Sequence, residues 1–408
     1  QGVMNWNKGS LELENGSKIL ASSTSSSAVR GGSYNLCFLD EFAFVPNNIA
    51  EQFFSSVYPT ISAGTTSKMI IVSTPKGMNM FYKLWTDALH EKNSFIPIEV
   101  NWSEVPGRDE KWKEETIKNT SKQQWLQEFE CSFLGSVDTL ISATKLQIIP
   151  TQDPIHTQGG LDIYELPNKV SNYCVTVDVA RGGSNDYSAF VVIDISTIPY
   201  RVVAKYKNNE IKPLALPEIV YKIANNYNEA HILVEINDVG GQIADALHYD
   251  LEYENIIMTQ MRGRLGQIVG SGFGDKATEL GVRTTKAVKK IGCSNLKQMI
   301  ESDKLVIPDF DIIVELSTFI QKGASFEGEE GSSDDLVMCL VFFAWLTNQQ
   351  YFKELTDDDI RKRLYQSQER MIEEDMAPFG FIDDGIVYAE DAPFVDADGD
   401  YWTPTKTF

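Results

Sequence analysis

The sequence predicts an α/β protein made of two successive domains, and two patterns carry this prediction. In the first half, the apolar runs 36–39 and 69–72 each end in polar residues, and each is followed by a helical pattern. In the second half, the pattern restarts at Tyr173 as three strands, a helix, a strand, a helix and a strand, before a late apolar helix at 332–346. Between the halves, residues 136–170 lose their periodicity and carry Pro and Gly, which predicts a domain boundary there.

Composition and charge narrow the classes of function. The 408 residues suffice for two or three domains, and no apolar run reaches the roughly 18 residues of a membrane span. The five cysteines are scattered without a C-x-x-C pair, which argues against a disulfide or zinc framework and favours reduced thiols in a cytosolic setting. The net charge of −22 does not exclude a nucleic-acid partner, because binding depends on local patches rather than on bulk charge.

The first half carries part of a nucleotide site. The stretch NLCFLDEFAF ends an apolar strand in Asp40 and Glu41, as the Walker B strand of a P-loop ATPase does, with one acid near Mg²⁺ and the next placed to orient water. The second strand ends in Ser73 and Thr74 at the same sheet edge, where a polar group could sense the γ-phosphate. Arg30, ten residues before Asp40, is either a surface loop charge or an arginine finger for a neighbouring subunit.

The phosphate-binding half of such a site is missing from the sequence. The Walker A pattern G-x-x-x-x-G-K-[ST] does not occur, and no Gly is followed by Lys. The chain also begins without Met and in apparent mid-domain. We therefore interpret the chain as a fragment and expect it to show no P-loop ATP hydrolysis.

Acidic residues mark three elements of the second half. Asp178 ends the first strand, Glu235 lies in the fourth strand, and Asp334 and Asp335 begin the late helix. This element order is that of an RNase H-like nuclease with a mixed sheet, in which strands one and four are neighbours and the late helix packs against them. The fold would therefore bring these carboxylates together. Asp186, eight residues after Asp178, could also reach them.

Clustered carboxylates need a cation. Like charges about 4 Å apart repel by roughly 4 kcal/mol at an effective dielectric constant of about 20, and hard divalent ions with oxygen ligands relieve this repulsion. Two Mg²⁺ or Mn²⁺ ions about 3.5–4 Å apart would activate water and stabilise the leaving oxygen in phosphodiester hydrolysis. The acids of the second half therefore predict a two-metal nuclease.

Each acid also has a simpler explanation. A strand-end residue such as Asp178 is often a turn or cap residue, and Asp334 with Asp335 could simply cap the late helix. Glu235 is harder to explain in this way, because a carboxylate within an apolar strand is costly unless it is paired. Taken together and in this element order, the acids favour the metal-dependent nuclease.

Basic residues concentrate in one Gly-rich segment of the second half. Among its eight cations we predict DNA contacts for Arg262, Arg264, Lys276, Arg283, Lys286, Lys289 and Lys290. With Lys297 as the eighth, and with Asp275 and Glu279 as the two acids, the segment has a net charge of 8 − 2 = +6. The simpler explanation is a solvated charged loop. Beside a carboxylate cluster that needs a phosphodiester, DNA contact is favoured.

The sequence resembles the large terminase subunits of tailed bacteriophages, above all those of T-even type. The resemblance covers nearly the whole chain up to about residue 350, in family order. It is carried by NGSKILASS, AVRGGSYNLCFLDEFAF, IIVSTPKGMNMFYKLW, FLGSVDTLI, VTVDVARGGSNDYSAFVVID, HILVEINDVGG and DDLVMCLVFFAW.

This resemblance implies an N-terminal ATPase joined to a C-terminal RNase H-like nuclease. It assigns the Walker B and ATP-coupling roles to Asp40, Glu41, Ser73 and Thr74. It assigns the nuclease roles to Asp178, Glu235 and either Asp335 or Asp334. The Walker A loop of the family would lie upstream of the residues present here.

The resemblance also implies a biological role. Members of the family cut concatemeric viral double-stranded DNA at the start and end of packaging, and in between they use ATP hydrolysis to drive DNA through the portal of the procapsid. The implied partners are viral DNA, the portal protein and the small terminase subunit, with a homo-oligomeric ring on the portal. The implied location is the cytoplasm of the infected bacterial host, with no membrane association.

Four segments follow from these predictions. They are the C-terminal part of an ATPase domain (1–90), a lid or hinge subdomain with a linker (91–150), the nuclease domain (151–352) and an acidic, mobile tail (353–408). Two alternatives stay open. A resolvase-like nuclease of the same fold is disfavoured by the Asp40 and Ser73 elements, and a non-catalytic scaffold that binds DNA or the portal is disfavoured by the intact acids.

Overall fold

The structure is a computed structural model. It describes residues 2–24, 34–62, 64, 66–134, 138–180, 187–261, 267–269, 278–323, 325–356, 394–395 and 401–402. The chain divides into two compact units, residues 1–356 and 357–408. In the second unit the described residues form an antiparallel pair of short strands, Phe394–Val395 and Tyr401–Trp402. The rest of the predicted acidic tail after residue 356 lies outside the described residues.

The first segment consists of a three-stranded antiparallel sheet followed by two parallel strands with their helices. Its elements are β1 (Val3–Asn7), β2 (Ser10–Leu13), β3 (Lys18–Leu20), β4 (Leu36–Asp40), α1 (Asn47–Ser62), β5 (Lys68–Val72) and α2 (Met80–Leu89). The predicted hairpin turn between β2 and β3 is confirmed. Gly16 in this turn has a φ of 79°, a left-handed conformation that favours glycine.

The strands β4 and β5 pair in parallel, as predicted, with Leu39 opposite Ile71. One face of this pair packs against α1 in a small apolar core that includes Leu39, Phe53 and Val57. The other face is exposed, because alternate strand residues point to opposite sides. Its large exposed side chains are Leu36, Phe38, Ile70 and Val72.

A small helical segment follows the first one. Its helices are α3 (Glu110–Asn119), α4 (Lys122–Glu128) and α5 (Ala143–Ile148). Asp109 and Ser121 each cap a helix by accepting a hydrogen bond from a backbone N–H in its first turn. Trp102, Trp112 and Trp125 pack together with ring centroids 5.3–6.4 Å apart, which gives this highly charged segment an aromatic core.

One mixed sheet organises the second half of the chain. The strands there are β6 (His156–Gln158), β7 (Leu161–Ile163), β8 (Tyr173–Asp178), β9 (Ser188–Asp194), β10 (Tyr200–Asn208), β11 (His231–Val234), β12 (Met258–Met261), β13 (Gln267–Val269), β14 (Thr278–Leu280), β15 (Leu305–Val306), β16 (Phe319–Lys322) and β17 (Ser325–Gly328). The helices are α6 (Leu216–Asn226), α7 (Gly240–Asp245), α8 (Lys286–Glu301), α9 (Phe310–Thr318) and α10 (Asp335–Leu346).

The main sheet has the order β11-β8-β9-β10-β7-β6, with β15 paired to β10. Strands β8, β9 and β10 form an antiparallel meander, and β11 returns to pair in parallel with β8. The prediction that the first and fourth strands of this half are neighbours is therefore confirmed.

Side chains of the sheet alternate between two apolar cores. Val175 and Val177 of β8 pack with residues of α6 and α7 on one face. Cys174 of the same strand packs with residues of α8, α9 and α10 on the other face. The second half is thus a three-layer α/β/α structure. Among the described residues, no helix is both long and apolar enough to cross a lipid bilayer.

One prediction about an element was wrong. The late helix begins at Asp335 rather than at residue 332, because the preceding polar side chains bind other groups: Ser333 Oγ donates to Glu315, and Asp334 accepts from the N–H of Gly328. The basic segment 262–290 has regular structure where it is described, which argues against the simpler explanation of a solvated loop. It contains β13 and β14, which flank β12 in a small antiparallel sheet, and the start of α8.

Helices α8 and α10 approach each other closely at Gly292. A Cβ atom at this position would lie 2.4 Å from the carbonyl oxygen of Val341 and 2.6 Å from its Cγ1. Distances this short to backbone require one helix to move. The contact matters for the site described below because α10 carries Asp335 at its first turn.

We expect Gly292→Ala to destabilise the protein by about 1–3 kcal/mol, because overpacking a filled core forces backbone shifts. The matched control is Gly241→Ala in α7, where a Cβ would meet nothing closer than the Ile236 carbonyl oxygen at 3.8 Å. Thermal unfolding followed by circular dichroism compares the two variants. Equal midpoints would contradict the close approach of α8 and α10.

Candidate metal centre

The sheet topology brings Asp178 and Glu235 to one edge. Val177 and Val234 are partners in the parallel β8–β11 pair, and the backbone N–H of Glu235 donates to the carbonyl oxygen of Val177 at 2.9 Å. The carboxylates that follow these partners therefore leave neighbouring strands at the same end. Gly240 is essential to this turn, since a Cβ there would lie 1.8 Å from the carbonyl oxygen of Glu235.

Glu235 is 8% exposed and is held by a side chain that the sequence did not point to. Thr284 Oγ1 donates a hydrogen bond of 2.7 Å to Glu235 Oε1. Burial raises the pKa of Glu235, and the hydrogen bonds from Thr284 and from the backbone of Asn237 oppose that rise. Thr284 thus fixes the orientation of a carboxylate that is costly to bury.

Asp334 and Asp335 have different surroundings at the start of α10. Asp334 Oδ2 accepts a hydrogen bond of 3.2 Å from the backbone N–H of Gly328. Burial, Glu315 and Asp334 together raise the pKa of Asp335 to about 7, while Lys207 acts in the opposite direction. Because Asp334 has a structural partner and Asp335 lies among other acids, the arrangement favours Asp335 as the cation ligand.

Asp178 links these groups into one cluster. Burial raises its pKa well above its ordinary value, and the charges of Glu235, Asp335, Asp334 and Glu315 raise it further, in that order of size. Asp178 therefore lies within the electrostatic influence of the other acids that the sequence singled out. A hard divalent cation suits such a set of oxygen donors.

Glu315, in the middle of α9, was missed by the sequence analysis. It is 3% exposed, and its carboxylate accepts hydrogen bonds from Lys207 Nζ at 2.7 Å, Ser333 Oγ at 3.1 Å and the backbone N–H of Val337 at 3.0 Å. The only available signal was an acid inside the apolar run FDIIVELST. Nothing in that run identifies its partners, which lie on β10, on α10 and in the segment just before α10.

A second acidic group is formed by residues of β7 and of the start of α9. Oxygen atoms of Asp162, Asp309 and Asp311 all lie within 4.8 Å of one another. Lys205 Nζ lies among them, 3.1 Å from Asp162 and 3.5 Å from Asp309, and it also pairs with Asp311. The lysine ammonium supplies the positive charge that a metal ion would supply, so we interpret this group as a buried salt-bridge network.

The predicted DNA-binding residues are only partly described. Arg262, Arg264 and Lys276 lie outside the described residues, as do Asp186 and Arg30. Arg283 makes three hydrogen bonds of 2.8–3.0 Å to Glu279, so its charge is already paired. Lys289 lies over the ring of Phe319, 5.6 Å from its centroid. Lys286 and Lys290 are exposed on the first turns of α8.

In the first segment, the predicted ATP-site residues meet at the end of the β4–β5 pair. Asp40 and Glu41 are exposed, and Glu41 has a φ of 52°, a left-handed conformation that is strained for this residue type. Ser73 Oγ accepts a hydrogen bond of 3.1 Å from the backbone N–H of Ala43 and thereby ties the ends of the two strands together. Thr74 is half-buried beside it.

A cavity of about 840 Å³ separates the first segment from the sheet of the second half. The first segment contributes Glu51 and Lys76 to its walls, and the second half contributes Lys207, Asp311 and Glu315. The wall of this cavity therefore includes both members of the Lys207–Glu315 ion pair.

Two protein-family profiles match the chain. One is described as the terminase large subunit, T4likevirus-type, N-terminal, and it matches residues 2–148. The other is described as the terminase RNaseH-like domain, and it matches residues 175–344. The two profiles follow each other in chain order and coincide with the two halves of the structure.

The chain is also similar to curated proteins named as large terminase subunits. The chain is 24% identical over 307 residues to the large terminase subunit of Thermus virus P23-45 and 25% identical over 312 residues to that of Thermus phage G20c. Each alignment covers 71% of this chain and 56% of the relative. The chain thus spans about half the length of the curated relatives it matches.

Solved structures with some similarity include two large terminases. The nuclease of thermophilic phage G20c with bound cobalt aligns with a TM-score of 0.39 at 21% identity, over 52% of this chain and 97% of that one. The large terminase of a second thermophilic bacteriophage, solved in complex with ADP, aligns with a TM-score of 0.33 at 12% identity, over 84% of this chain and 78% of that one.

The raised pKa of Asp335 predicts a pH dependence of stability in EDTA. A raised pKa means that the folded protein holds the proton more tightly than the unfolded chain does. The associated stability is fully present below the ordinary value of 3.8 and is lost as the pH rises through about 7. We therefore expect Asp335→Asn to unfold at a higher temperature than the wild type at pH 8, with a smaller difference at pH 4.

The control for this measurement is Asp153→Asn, because Asp153 is an exposed acid with a side chain that is 81% accessible. Its unfolding temperature should follow that of the wild type across the whole pH range. A constant difference between Asp335→Asn and the wild type from pH 4 to pH 8 would show that Asp335 is not held at a raised pKa.

Proposed function

Because this chain belongs to the terminase large-subunit family, we propose that its second half is a divalent-metal-dependent endonuclease that cuts concatemeric viral double-stranded DNA during packaging. The observation that carries this proposal is the placement of Asp178 and Glu235 at adjacent strand ends, with Asp335 at the start of a helix that packs on the same sheet. These three elements are far apart in sequence, and the fold brings them to one side of the sheet.

The chemistry of the cluster fits Mg²⁺ or Mn²⁺. Its donors are carboxylate oxygens, the ligand type that hard divalent ions prefer, and their mutual repulsion is relieved by a bound cation. Asp178, Glu235 and Asp335 would hold the metal, with Asp334 or Asp186 as further candidates. Bound there, a pair of divalent ions would supply a Lewis acid and charge neutralisation for phosphodiester hydrolysis. Thr284 orients Glu235 for this role.

The basic segment supports DNA as the substrate. Thr284, which binds Glu235, lies between Arg283 and Lys286 in sequence, so this segment passes directly beside the carboxylate cluster. Exposed lysines at the start of α8 would bind phosphates on the approach to the cluster. Phosphate contacts carry no sequence information, which suits an enzyme that cuts many sites.

The first half would serve the packaging motor. We assign Asp40 and Glu41 to the metal and the attacking water of an ATP site, and Ser73 with Thr74 to the coupling of that site to the rest of the domain. The hydrogen bond between Ser73 Oγ and the Ala43 N–H provides a direct link between the two strand ends. The proposed partners are the portal protein, the small terminase subunit and further copies of this chain, in the host cytoplasm.

We expect this chain to nick and linearise supercoiled plasmid DNA with Mg²⁺ or Mn²⁺ and not with EDTA. Outer partners of metal ligands typically contribute ten- to hundredfold, so removing a ligand itself should cost roughly a hundredfold or more in rate. Asp178→Asn and Glu235→Gln are the test variants. Asp153→Asn, on the exposed surface, is the control.

Two outcomes would count against the nuclease. If Asp178→Asn cut as fast as the wild type, these carboxylates would not be its centre. If the folded wild type bound DNA in a salt-sensitive way but cut nothing with either metal, a non-catalytic DNA-binding scaffold would be favoured.

We also expect Lys286→Ala combined with Lys290→Ala to weaken DNA binding. The slope of log K against log salt should fall by about 1–2, because each lysine neutralises one phosphate. Fluorescence anisotropy with duplex DNA in EDTA measures this slope without cleavage.

Lys222→Ala is the matched control, since Lys222 is exposed on α6, which packs on the opposite face of the sheet. Arg283→Ala should have a smaller effect than the double variant, because Arg283 already pairs with Glu279. An unchanged slope in Lys286→Ala with Lys290→Ala would remove α8 from the DNA-binding surface.

A further inference from the structure

We infer that Glu315 is a positioning residue of the metal centre, which binds the Lys207 ammonium and thereby keeps this cation from occupying Asp335 in place of a metal ion. The inference rests on the proposed function, since it assumes that Asp335 is a metal ligand. It assigns a role to a buried ion pair that the sequence analysis did not find.

The contacts of Glu315 hold Lys207 in a defined place. One oxygen of Glu315, Oε1, accepts from Lys207 Nζ at 2.7 Å and from Ser333 Oγ at 3.1 Å. Lys207 Nζ also donates to Ser333 Oγ at 2.6 Å, which closes a three-membered network. The ring of Tyr187 covers the ammonium with its centroid 4.5 Å away. The ammonium is therefore enclosed by Glu315, Ser333 and Tyr187.

The same glutamate is fastened to the helix that carries the metal ligand. Glu315 Oε2 accepts a hydrogen bond of 3.0 Å from the backbone N–H of Val337, two residues after Asp335. A carboxylate at a helix start is favoured by the helix dipole. Glu315 thus occupies the helix start with one oxygen while its other oxygen binds Lys207, and neither contact uses Asp335.

The Lys207 ammonium is held next to the start of α10: it donates to Ser333 Oγ at 2.6 Å, and Ser333 lies two residues before Asp335. In agreement with this position, the charge of Lys207 acts to lower the pKa of Asp335. A lysine that remains charged and lies next to a carboxylate cluster is a competitor for the cation that the cluster binds. Whether Lys207 competes with a metal ion depends on the acceptor that binds its ammonium.

Lys205, two residues earlier on the same face of β10, is an example of a lysine that does occupy a group of acids. Its ammonium lies inside the group formed by Asp162, Asp309 and Asp311, where it takes the place that a cation would have. No separate carboxylate engages Lys205 outside that group among the described contacts. The two lysines differ in that Lys207 has Glu315 as a dedicated partner.

This inference is tested by measuring Mn²⁺ binding to the full chain without DNA, by electron paramagnetic resonance of free Mn²⁺. Glu315→Gln keeps the size of the side chain and one of its two accepting oxygens but removes its charge. We expect Mn²⁺ to bind about tenfold more weakly or worse in this variant, the range found when outer partners of metal ligands are changed. The double variant Glu315→Gln with Lys207→Gln removes the competing ammonium and should bind Mn²⁺ nearly as the wild type does.

The single variant Lys207→Gln keeps the measurement decisive if Glu315→Gln fails to fold. It removes the competitor, so it should bind Mn²⁺ at least as tightly as the wild type, and a clear loss of affinity would overturn the inference. Glu218→Gln is the matched control, because Glu218 forms an exposed pair with Lys222 on α6. Its Mn²⁺ affinity should equal that of the wild type.

Two further results would overturn the inference and leave the proposed nuclease intact. One is a wild type that binds Mn²⁺ and cuts DNA while Glu315→Gln binds Mn²⁺ equally well. The other is equal weakness in Glu315→Gln and in the double variant, since a loss that does not depend on Lys207 reflects a purely structural role of Glu315. A wild type that neither binds Mn²⁺ nor cuts DNA would instead defeat the proposed function, and this inference with it.

Discussion

Mutual repulsion among half-buried carboxylates is the constraint around which the second half of this protein is arranged. Strand pairing places Asp178 beside Glu235, and burial together with the charges of the neighbouring acids raises the pKa of Asp178. An apolar core on each face of the sheet offsets this unfavourable electrostatic energy. The stability of the hydrophobic layers thus maintains a charge arrangement that would not form by itself.

The two buried lysines of β10 bind the neighbouring acids in different ways. Lys205 neutralises one acidic group directly, whereas Lys207 is bound by Glu315 and Ser333 beside the other. A buried ion pair is weak support for stability but can fix one arrangement among several. Here the two lysines, two residues apart on one strand, have different partners: Lys205 lies within a group of three aspartates, and Lys207 is bound by Glu315 and Ser333.

The sequence was a good guide to the strands, their order and the acids at their ends, because these depend on local patterns. Apolar runs such as β8 and β11 are readily predicted as buried strands, and the acid at the end of each run can be read directly from the sequence. Glu315 and Thr284 could not be found this way, since each acts through a partner on another element. The start of α10 was also misplaced, because the side chain of Ser333 binds Glu315 and does not cap the helix.

The close approach of Gly240 to Glu235 has a consequence for how this protein can vary. Any side chain at position 240 would collide with the carbonyl oxygen of Glu235 and displace the carboxylate on the same residue. Gly240 has no functional group of its own. A saturation scan that selects for activity would nevertheless score it like a ligand. Intolerance to substitution at this position would therefore reflect the close approach of the backbone and not a catalytic or ligand-binding role of residue 240.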